Sequence, residues 1–420
     1  MADLMDVETA RGRMLALIKV PSETEDCALE HALGRVAAAD LQASVAVPPF
    51  ANSAMDGYAV RHDDPALERD APLTVIDRSA AGHPAMRSVQ PGTCVRIFTG
   101  AVLPDGADAV IAQEDAETIA PRQVRFRERT RHGRFVREVG SDIARGDRII
   151  ARGTRLGAAH LGVLAATGNA QVTVFRRPRI SVITTGDELR PPGDTLAPGQ
   201  IHDTSRFTLP ALLPGLPVDP VAVHHAPDDP QRLLETLEAA AAGSDALICA
   251  GGVSVGDADH VRPLLDTHGR IDFWRLAIKP GKPFAFGHFR GRPLFGLPGN
   301  PVSSLVTFLV LVRPALEQLA GLAPTPLPQW TAVLAAPLCK APGRRDFQRG
   351  RWVVSGEFPE SSETAGAGPE ELRVIAFERQ DSNVLSGVAM ADCLIDLPRE
   401  AGDLPAGTRV RVIPLAGLLG

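Results

Sequence analysis

An apolar run at Ala246–Ala250 breaks into glycines and then offers two carboxylates, within the stretch ALICAGGVSVGDADH. Its continuous hydrophobicity is typical of a parallel strand buried on both faces, and residues 259–265 predict the start of a helix. Gly251, Gly252 and Gly256 in the connecting loop let the backbone approach a bound group closely. The first N–H groups of the helix can hold an oxyanion, although such glycine-rich turns are also common in α/β folds without a ligand.

Upstream of this stretch, a second predicted strand also ends in carboxylates. Residues 180–184 form a β-branched run that leads into Asp187 and Glu188, and residues 227–230 predict the cap of a helix that reaches Ala242. Strands that alternate with helices predict a parallel sheet, in which ligands gather outside the carboxyl ends of the strands. The acidic side chains expected at that edge are Asp187, Glu188, Asp257 and Asp259.

The spacing of Gly251 and Gly256 resembles that of a phosphate-binding P-loop, but Asp257 stands where the lysine of a P-loop follows. The pattern therefore argues against a P-loop nucleotide triphosphatase. Because carboxylate oxygens bind divalent cations well, acids in that position predict a phosphate bridged by such a cation.

Two segments downstream suit the binding of an anion. Lys279 and Lys282 lie in a turn restricted by prolines and a glycine, for which a solvated hairpin is the alternative interpretation. Residues 294–297 predict a strand, after which Asn300 and Pro301 match the N-cap and the first position of a helix. Helix capping alone explains these two residues, but the same helix start is also a candidate anion site.

The rest of the pattern is mostly β. Residues 7–19 and 26–40 show helical spacing, and residues 72–150 contain short β-branched runs between Gly, Pro and Asp turns, which predicts an inserted β-rich domain. Residues 157–167 predict an amphipathic helix. After residue 326 the β pattern returns and predicts a small barrel or sandwich.

Three polar side chains lie close to glycines, one just before this β-rich region and two within it. Asp56 precedes Gly57, Thr99 precedes Gly100, and Asp142 ends the segment GSD. An Asp–Gly pair often marks only a turn, and Asp56 taken alone favours that interpretation.

Composition limits the class of protein. A chain of 420 residues with 44% hydrophobic and 22% charged residues has material for several cores, so two to four domains are expected. We expect a soluble, cytoplasmic protein, because the N-terminus lacks a secretory signal and the apolar runs are interrupted before transmembrane length. Five scattered cysteines imply neither a disulfide framework nor a zinc finger. A net charge of −6 argues against a nucleic-acid surface, while local Lys and Arg still allow a small anionic ligand.

Eight motifs together resemble one known family. The chain is similar, essentially from end to end, to the MoeA family of molybdopterin molybdenumtransferases, which includes the E domain of gephyrin. The motifs that carry the resemblance are, in chain order, NSAMDGYAV, TGAVLPDGADAVI, GSDI, ITTGDEL, GGVSVGDADH, LAIKPGKPFAFG, LPGNPVSS and RRDFQRG.

The resemblance implies a multidomain fold that combines α/β and β domains, assembled as a homodimer. Its parts are an elongated linking scaffold of helices and strands, an inserted β-rich domain, a parallel α/β molybdopterin-binding domain and a C-terminal β-barrel. On this sequence they correspond to residues 1–45 with 145–178, whose N-terminal helix can pack on the α/β domain, and then to 46–144, 179–325 and 326–420.

The reaction implied by the resemblance inserts molybdenum from molybdate into adenylylated molybdopterin, with Mg²⁺-dependent release of AMP. The residues that match the family's catalytic positions are Asp56, Thr99, Asp142, Glu188, Asp228, Asp259 and Lys279. The expected Mg²⁺ ligands among them are Asp56, Asp142, Glu188 and Asp259. The residues expected to hold the anionic substrates are Gly251, Gly252, Ser254, Gly256, Arg275, Lys282, Pro298, Asn300, Pro301 and Ser303.

Two departures from the family pattern matter. Arg275 stands where many relatives have lysine, which keeps the charge but replaces a compact ammonium by a planar fork. Ser205 stands where the family commonly has asparagine, so a hydrogen bond at that position changes.

Other functions and partners follow from the same resemblance. A molybdopterin adenylyltransferase shares the strand-end and glycine motifs but is normally a single domain, and gephyrin also acts as a scaffold, so both are alternative functions. Expected partners are small anionic substrates, a molybdopterin adenylyltransferase and the receiving molybdoenzymes, with no nucleic acid and no membrane. Because Asp56 and Asp259 belong to different predicted domains, a site shared across the dimer is also expected.

Overall fold

The computed structural model of the chain describes residues 4–20, 22–253, 260–353 and 371–419. Short 3₁₀ turns lie at Leu29–His31 and Gln113–Asp115, and a π-helical turn lies at Phe308–Val312. The α-helices, in chain order, are α1 Val7–Leu17, α2 Pro65–Glu68, α3 Ala158–Ala166, α4 Ser205–Leu212, α5 Pro230–Gly243, α6 Val261–His268, α7 Pro301–Thr307, α8 Arg313–Leu319 and α9 Ser386–Ala389.

The strands, in chain order, are β1 Thr24–Ala28, β2 Leu41–Gln42, β3 Asn52–Ser53, β4 Gly57–Val60, β5 Leu73–Ser79, β6 Thr93–Ile97, β7 Ala109–Ala112, β8 Ala116–Ala120, β9 Gln123–Phe126, β10 Val136–Arg137, β11 Arg148–Ile150, β12 Gln171–Phe175, β13 Arg179–Thr185, β14 Leu189–Arg190, β15 Ile201–His202, β16 Asp219–Ala226, β17 Ala246–Ala250, β18 Gly269–Trp274, β19 Ile278–Lys279, β20 Ala285–Phe289, β21 Arg292–Leu297, β22 Trp330–Leu334, β23 Arg345–Trp352, β24 Arg373–Ala376, β25 Cys393–Leu397 and β26 Arg409–Pro414.

The chain divides into two compact units. The first contains Met1–Glu25, Gly34–Ala38 and Val174–Gly420, and the second contains Asp26–Leu33 and Ala39–Thr173. The first unit carries an α/β sheet and a barrel, and the second carries a separate β-sheet. The predicted combination of α/β and β domains is confirmed.

The sheet of the first unit has the strand order β16-β13-β17-β21-β20-β18. Strands β16, β13, β17 and β21 run parallel, as the alternation of strands and helices predicts. Strands β20 and β18 are antiparallel to their neighbours, because residues 290–291 join β20 to β21 as a hairpin and residues 275–284, which contain no helix, join β18 to β20. The sheet is therefore mixed, and its parallel half presents adjacent carboxyl ends.

Strand β17 lies at the centre of this sheet and is buried on both faces. Its alternate residues enter two different hydrophobic cores: Ile248 packs with residues of α1, α4, α7 and α8, and Leu247 packs with residues of α5 and α6. All five residues of β17 are buried. This burial explains why the run at Ala246–Ala250 is continuously apolar rather than alternating.

The C-terminal part of the first unit is a barrel. Strand β23 pairs with β24 at one side and with β25 at the other, which closes the ring β23-β24-β22-β26-β25. The sequence pattern allowed either a barrel or a sandwich. The closed ring of strands shows that this part of the chain is a barrel. Strand β19 pairs in parallel with β23, so Lys279 lies opposite Asp346.

The second unit is built around a sheet of order β7-β4-β6-β5-β9-β8. Strand β4 begins directly after Asp56, and Thr99 follows β6, which is the neighbour of β4. The strand order therefore places these two polar residues at the same edge of the sheet.

The helix predicted over residues 26–40 is wrong. The structure has β1, a 3₁₀ turn and a turn at Gly34 instead, and Gly34 has a left-handed φ of 75°. Leu33, which the helical spacing places on the buried face, is 59% exposed. The backbone N–H of Leu29 donates to Ala170 O (3.1 Å), so hydrogen bonds to a distant segment replace the i→i−4 bonds of a helix.

In the described ranges, one helical run, Pro301–Leu319, is long and apolar enough to cross a membrane by length and composition, although Arg313 and Glu317 interrupt its apolar residues as expected. Of its most apolar window, 83% is buried inside this chain. Burial within the protein explains its hydrophobicity, as for the core helix of a globular domain.

The cysteines give a test of this packing. All five are free, Cys339 is exposed and the other four are buried. Burial raises the pKa of Cys94, Cys249 and Cys393 to about 12, so these thiols stay protonated at neutral pH. We expect iodoacetamide at pH 8 to label Cys339 rapidly in the native protein, and all five cysteines to react after unfolding in urea. Rapid native labelling of Cys249, measured by peptide mass spectrometry, would contradict the packing around β17.

Candidate functional site

Three loops meet at the carboxyl edge of the parallel strands. The N–H of Gly251, directly after β17, donates to Leu297 O at the end of β21 (3.1 Å). Gly251 has φ 98°, and a Cβ atom added to it would lie 2.6 Å from Thr185 O at the end of β13. Gly252 also has a left-handed φ, of 64°. A Cβ atom at Gly251 would clash with the backbone, and the left-handed φ of Gly252 favours glycine, so these two residues let the ends of neighbouring strands approach each other.

Asp228, which follows β16, links the end of that strand to the end of β13. Its Oδ1 accepts from Thr185 Oγ1 (3.4 Å) and its Oδ2 accepts from the N–H of Asp187 (3.3 Å), while its own N–H donates to Asp187 Oδ1 (3.2 Å). Asp228 therefore fixes the loop after β13 rather than pointing freely into solvent. Glu188, in the same loop, is exposed and keeps its carboxylate available for a ligand.

Asp203, in the segment 201–205, is hydrogen-bonded both to the end of β13 and to the start of α4. Thr184 Oγ1 donates to Asp203 Oδ2 (2.6 Å), and the N–H of Arg206 donates to Asp203 Oδ1 (3.0 Å). Both Thr184 and Asp203 are buried. Sequence reasoning did not single out Asp203, because a buried acid at a helix start looks the same as an exposed one in a sequence.

A cleft of about 580 Å³ opens beside these loops in the first unit. The lysine turn, the loop after β21 and a loop that follows β24 of the barrel line it. The structure therefore brings together the predicted residues Lys279, Lys282, Pro298, Asn300 and Ser303. The residues that line the cleft are Lys279, Pro280, Gly281, Lys282, Pro283, Pro298, Asn300, Ser303, Arg344, Glu378, Arg379, Gln380, Asp381 and Ser382.

Asn300 does not cap α7 with its side chain, while its predicted contact with the substrate stays a prediction. It occupies the N-cap position of α7 with Pro301 at the first helical position, but its side chain makes no capping hydrogen bond. Its Nδ2 donates to Ser382 Oγ (2.9 Å), and the N–H of Val302 donates to Ser382 O (3.2 Å). Asn300 thus fastens the barrel loop to the start of the helix.

A buried guanidinium holds the same barrel loop from the other side. Arg349, 1% exposed, donates from Nη1 to Asp381 O (3.1 Å) and from Nη2 to Arg379 O (2.7 Å). The Gln380 side chain pairs with both the N–H and the C=O of Arg349 (2.9 Å each). Burial lowers the pKa of Arg349, although a guanidinium remains charged at neutral pH.

These barrel residues are the functional residues that sequence reasoning missed. Arg344 and Arg349 belong to the motif RRDFQRG, which was recognised but given no role. Arg379 and Ser382 carry no motif signal of their own, because their place in the cleft depends on the closure of the barrel.

Arg275 lies near the lysine turn without lining the cleft. It has a left-handed φ of 67°, which is uncommon for a residue with a side chain. Its N–H donates to Phe284 O (3.0 Å), and the N–H of Leu276 donates to Lys282 O (3.0 Å), so the backbone here shapes the lysine turn. The predicted substrate contact of Arg275 stays a prediction.

Asp56 and Thr99 form a hydrogen-bonded pair in the second unit. Asp56 Oδ1 accepts from both the N–H (2.8 Å) and the Oγ1 (2.7 Å) of Thr99, and these two bonds, backbone first, hold the pKa of Asp56 below its usual range. Nearby Arg96 lowers it further and stacks on Tyr58, with its guanidinium carbon 5.0 Å from the ring centroid. Asp56 is therefore an ionised carboxylate at neutral pH and more than a turn residue.

The other predicted positions belong to different units or lie outside the described residues. Asp142 is exposed in the second unit, where its N–H donates to Val47 O (3.0 Å). The predicted Mg²⁺ ligands Asp56 and Asp142 thus belong to one unit and Glu188 to the other. The predicted positions that lie outside the described residues are Ser254, Gly256 and Asp259, together with Asp257.

One group of potential metal ligands in the described ranges was not predicted. His62, Asp63 and Asp108 offer atoms within 4.8 Å of one another. His62 Nδ1 hydrogen-bonds to Asp108 Oδ2 (2.7 Å) and Asp63 pairs with Arg61 (3.2 Å), so local contacts account for this group.

Comparison with known proteins matches three family models to successive parts of the chain. A model described as the MoeA N-terminal region (domain I and II) matches residues 5–168, a probable molybdopterin binding domain matches residues 181–318, and the MoeA C-terminal region (domain IV) matches residues 331–415. The molybdopterin molybdenumtransferase of Haemophilus influenzae is 38% identical over 418 residues, which cover 99% of this chain and 100% of that relative. The chain belongs to the MoeA family of molybdopterin molybdenumtransferases.

This membership confirms the resemblance predicted from the motifs and makes the chain an enzyme of molybdenum cofactor biosynthesis. A crystal structure of a MoeA protein from Pyrococcus horikoshii OT3 superposes with a TM-score of 0.81 at 26% identity and covers 98% of this chain and 99% of that one. Gephyrin of Dictyostelium discoideum is 33% identical over 347 residues, which are 72% of this chain and 48% of gephyrin. The MoeA fold is thus shared over nearly the whole chain.

The Asp56–Thr99 pair can be tested by titration. In Thr99→Val the backbone bond remains and the Oγ1 bond is lost, so we expect the pKa of Asp56 to rise toward its usual value. Because the folded-state pKa of Asp56 is lowered, its stabilising contribution is present above the unfolded-state pKa and lost as the pH falls through the folded-state pKa; the variant loses it at a higher pH.

The measurement is a ¹³C NMR titration of the aspartate carboxyl groups in the wild type and in Thr99→Val. Asp77 is the matched control, because backbone N–H groups of Arg78, Met86 and Arg87 lower its pKa and the substitution leaves them in place. An Asp56 pKa that is the same in both proteins would show that the hydroxyl contributes nothing.

Proposed function

We propose that this MoeA-family enzyme inserts molybdenum from molybdate into adenylylated molybdopterin and releases AMP with the help of Mg²⁺. The single observation that carries the proposal is the cleft between the lysine turn, the loop after β21 and the barrel loop. It offers concentrated positive charge in a protein with a net charge of −6.

The charges of the cleft suit an oxyanion. Lys279, Lys282, Arg344 and Arg379 line it, against the two acids Glu378 and Asp381. Ammonium and guanidinium groups form charge-assisted hydrogen bonds with phosphate-like oxygens, and arginine binds them in a planar, two-pronged manner. Molybdate and the terminal phosphate of molybdopterin are both such oxyanions, so the proposal assigns this cleft to one of them.

Ser303 supplies a polar group at the apolar wall of the cleft. It is 4% exposed and lies in the first turn of α7, after Pro298 and Asn300. A hydroxyl in this position can donate to an oxyanion oxygen that the lysines neutralise. In this proposal the lysines neutralise the charge of the oxyanion, and Ser303 orients it.

The carboxylates have the donor chemistry that Mg²⁺ prefers. Glu188 is exposed just after β13, and hydrogen bonds from Thr99 lower the pKa of Asp56. We assign Mg²⁺ to Asp56, Asp142, Glu188 and Asp259. When bound, Mg²⁺ neutralises charge on the pyrophosphate and makes AMP a better leaving group.

Asp228 and the glycines prepare the surface for the substrate. Asp228 holds the loop that carries Glu188, and Gly251 and Gly252 keep the adjacent backbone close to the strand ends. A fixed loop requires no rearrangement when charge develops on the substrate, which is the basis of electrostatic catalysis.

The proposal extends to assembly and surroundings. We propose a homodimer in which Asp56 and Asp142 of one subunit complete a site with Glu188, Asp259 and Lys279 of its partner. We further propose that the enzyme works in the cytoplasm, receives adenylylated molybdopterin from an adenylyltransferase and passes its product to molybdoenzymes.

The reaction is tested with purified enzyme, adenylylated molybdopterin, molybdate and MgCl₂. We expect AMP release, measured by chromatography, together with molybdenum bound to molybdopterin. In Lys279→Met the rate is expected to fall about 100-fold or more, since removal of one group that stabilises an oxyanion costs that much. Lys19→Met is the matched control, because Lys19 is exposed and does not line the cleft. This variant should retain the wild-type rate.

Consumption of ATP with unmodified molybdopterin would instead favour an adenylyltransferase. Wild-type protein that binds neither substrate and captures a membrane-receptor peptide would favour a gephyrin-like scaffold.

The shared site is tested by mixing two inactive chains. If Asp56→Ala and Lys279→Met subunits are unfolded and refolded together, about half of the dimers are mixed, and each mixed dimer has one intact site out of two. About a quarter of wild-type AMP release should therefore return. Mixed dimers, verified by two different affinity tags, that show no recovery would establish that each site is built within one chain.

A further inference from the structure

A buried carboxylate lies directly behind the cleft. Asp346 on β23 is 3% exposed, and its Oδ2 lies 3.2 Å from Nζ of Lys279 on the neighbouring strand β19. The Lys279 side chain is 40% exposed and lines the cleft. The ion pair therefore has one member inside the protein and the other at the surface that meets the substrate.

The same carboxylate oxygen is fixed by a second group. Gln348 Nε2 donates to Asp346 Oδ2 (3.2 Å) and to Cys339 O (3.0 Å), and Gln348 is itself buried. A carboxylate removed from water is costly unless charged and polar groups pair with it. Lys279 is the salt-bridge partner of Asp346 among the described residues, while Lys340 and Arg349 add positive charge nearby. The salt bridge holds the Lys279 ammonium beside Asp346.

Other charges near this pair are occupied elsewhere. Lys340 is 4% exposed, and its ammonium donates to the carbonyl oxygens of Ala341, Arg399 and Ala401 (3.3, 3.3 and 2.8 Å). These bonds keep Lys340 in the barrel wall. Lys279 is thus the cation that connects Asp346 with the cleft.

The second lysine of the turn is in a different state. Lys282 lines the same cleft and is exposed, and in the described part of the chain no carboxylate lies within salt-bridge distance of its ammonium. A lysine has a long flexible stem with many rotamers, so Lys282 must lose that freedom when it binds an anion. Lys279 has lost part of it in advance, because its ammonium is already paired with Asp346.

We infer that Asp346 is a positioning residue. It holds the Lys279 ammonium at the surface of the cleft, in the position where the ammonium contacts the oxyanion substrate. The inference rests on the proposed function of the cleft. Its physical basis is preorganisation: a charge already in place stabilises the reacting group without reorganisation, and small misplacements are costly. Asp346 also offsets part of the positive charge of Lys279, which favours release of a bound anion.

The first measurement does not depend on activity. Native protein is treated with limiting acetic anhydride, and the acetylation rates of Lys279 and Lys282 are read by peptide mass spectrometry. Lys279 should react more slowly than Lys282 in the wild type, because its nitrogen is engaged with Asp346. In Asp346→Asn its rate should rise toward that of Lys282. An unchanged Lys279 rate in this variant would overturn the inference.

The second measurement separates positioning from folding. Asp346→Asn should lower kcat for AMP release at least about tenfold, while KM for molybdate stays level or falls because a negative charge has left the cleft. In a Lys279→Met background the same substitution should cause no further loss, since Asp346 acts through Lys279. Losses that multiply in the double variant, or a kcat within about twofold of wild type, would overturn the assignment.

Asp396→Asn is the matched control. Asp396 is also a buried barrel carboxylate paired with a cation, but its partner is Arg345 (2.6 and 2.7 Å) and not a cleft lysine. It should leave the Lys279 acetylation rate unchanged. If Asp346→Asn does not fold, Asp346→Glu moves the carboxylate by one methylene and should still lower kcat, whereas full kcat would overturn the inference. Absence of AMP release by the wild type would refute the proposed function alone, and the acetylation rates would then decide the role of Asp346.

Discussion

The structure depends on how closely the ends of β13, β17 and β21 approach one another. The N–H of Gly251 reaches Leu297 O, and there is no room for a Cβ atom between Gly251 and Thr185. This approach is possible because the strands are parallel and buried on both faces, so that helices cover the sheet and leave only its edges open. Ligand-binding loops then have one place to assemble, at the carboxyl ends of the strands.

The barrel converts that edge into a cleft. Arg349 and Gln380 hold the barrel loop, and Asn300 ties it to the start of α7. The contacts of the buried Arg349 guanidinium are charge-assisted, which makes them strong and sensitive to loss of a single partner, whereas the Asn300 contact is neutral and exposed. The cationic surface of the cleft therefore combines lysines that follow the sheet with arginines that belong to the barrel.

The two halves of the predicted catalytic set obey different physical constraints. Asp56 is half-buried, and hydrogen bonds from Thr99 lower the pKa of its carboxyl group, whereas Lys279 is paired with a buried carboxylate. An ionised acid with access to solvent can bind a hydrated cation, and the ammonium of Lys279 can meet an anion. The proposed reaction acts on a pyrophosphate, whose charge a bound cation neutralises, and on an oxyanion, which an ammonium attracts. It therefore uses both properties.

The sequence by itself determined the family, the alternation of strands and helices, and the predicted positions of Lys279, Asn300 and Asp56, because each depends on local pattern or on a short motif. It did not determine that residues 26–40 are not helical, since their hydrogen bonds go to a distant segment. Nor did it determine the hydrogen bond from Asn300 to Ser382, the anchoring by Arg349, or the pairing of Lys279 with Asp346, which lies 67 residues away. Those contacts exist only when the barrel closes and β19 joins β23, and burial and pairing at long range leave no periodic trace in a sequence.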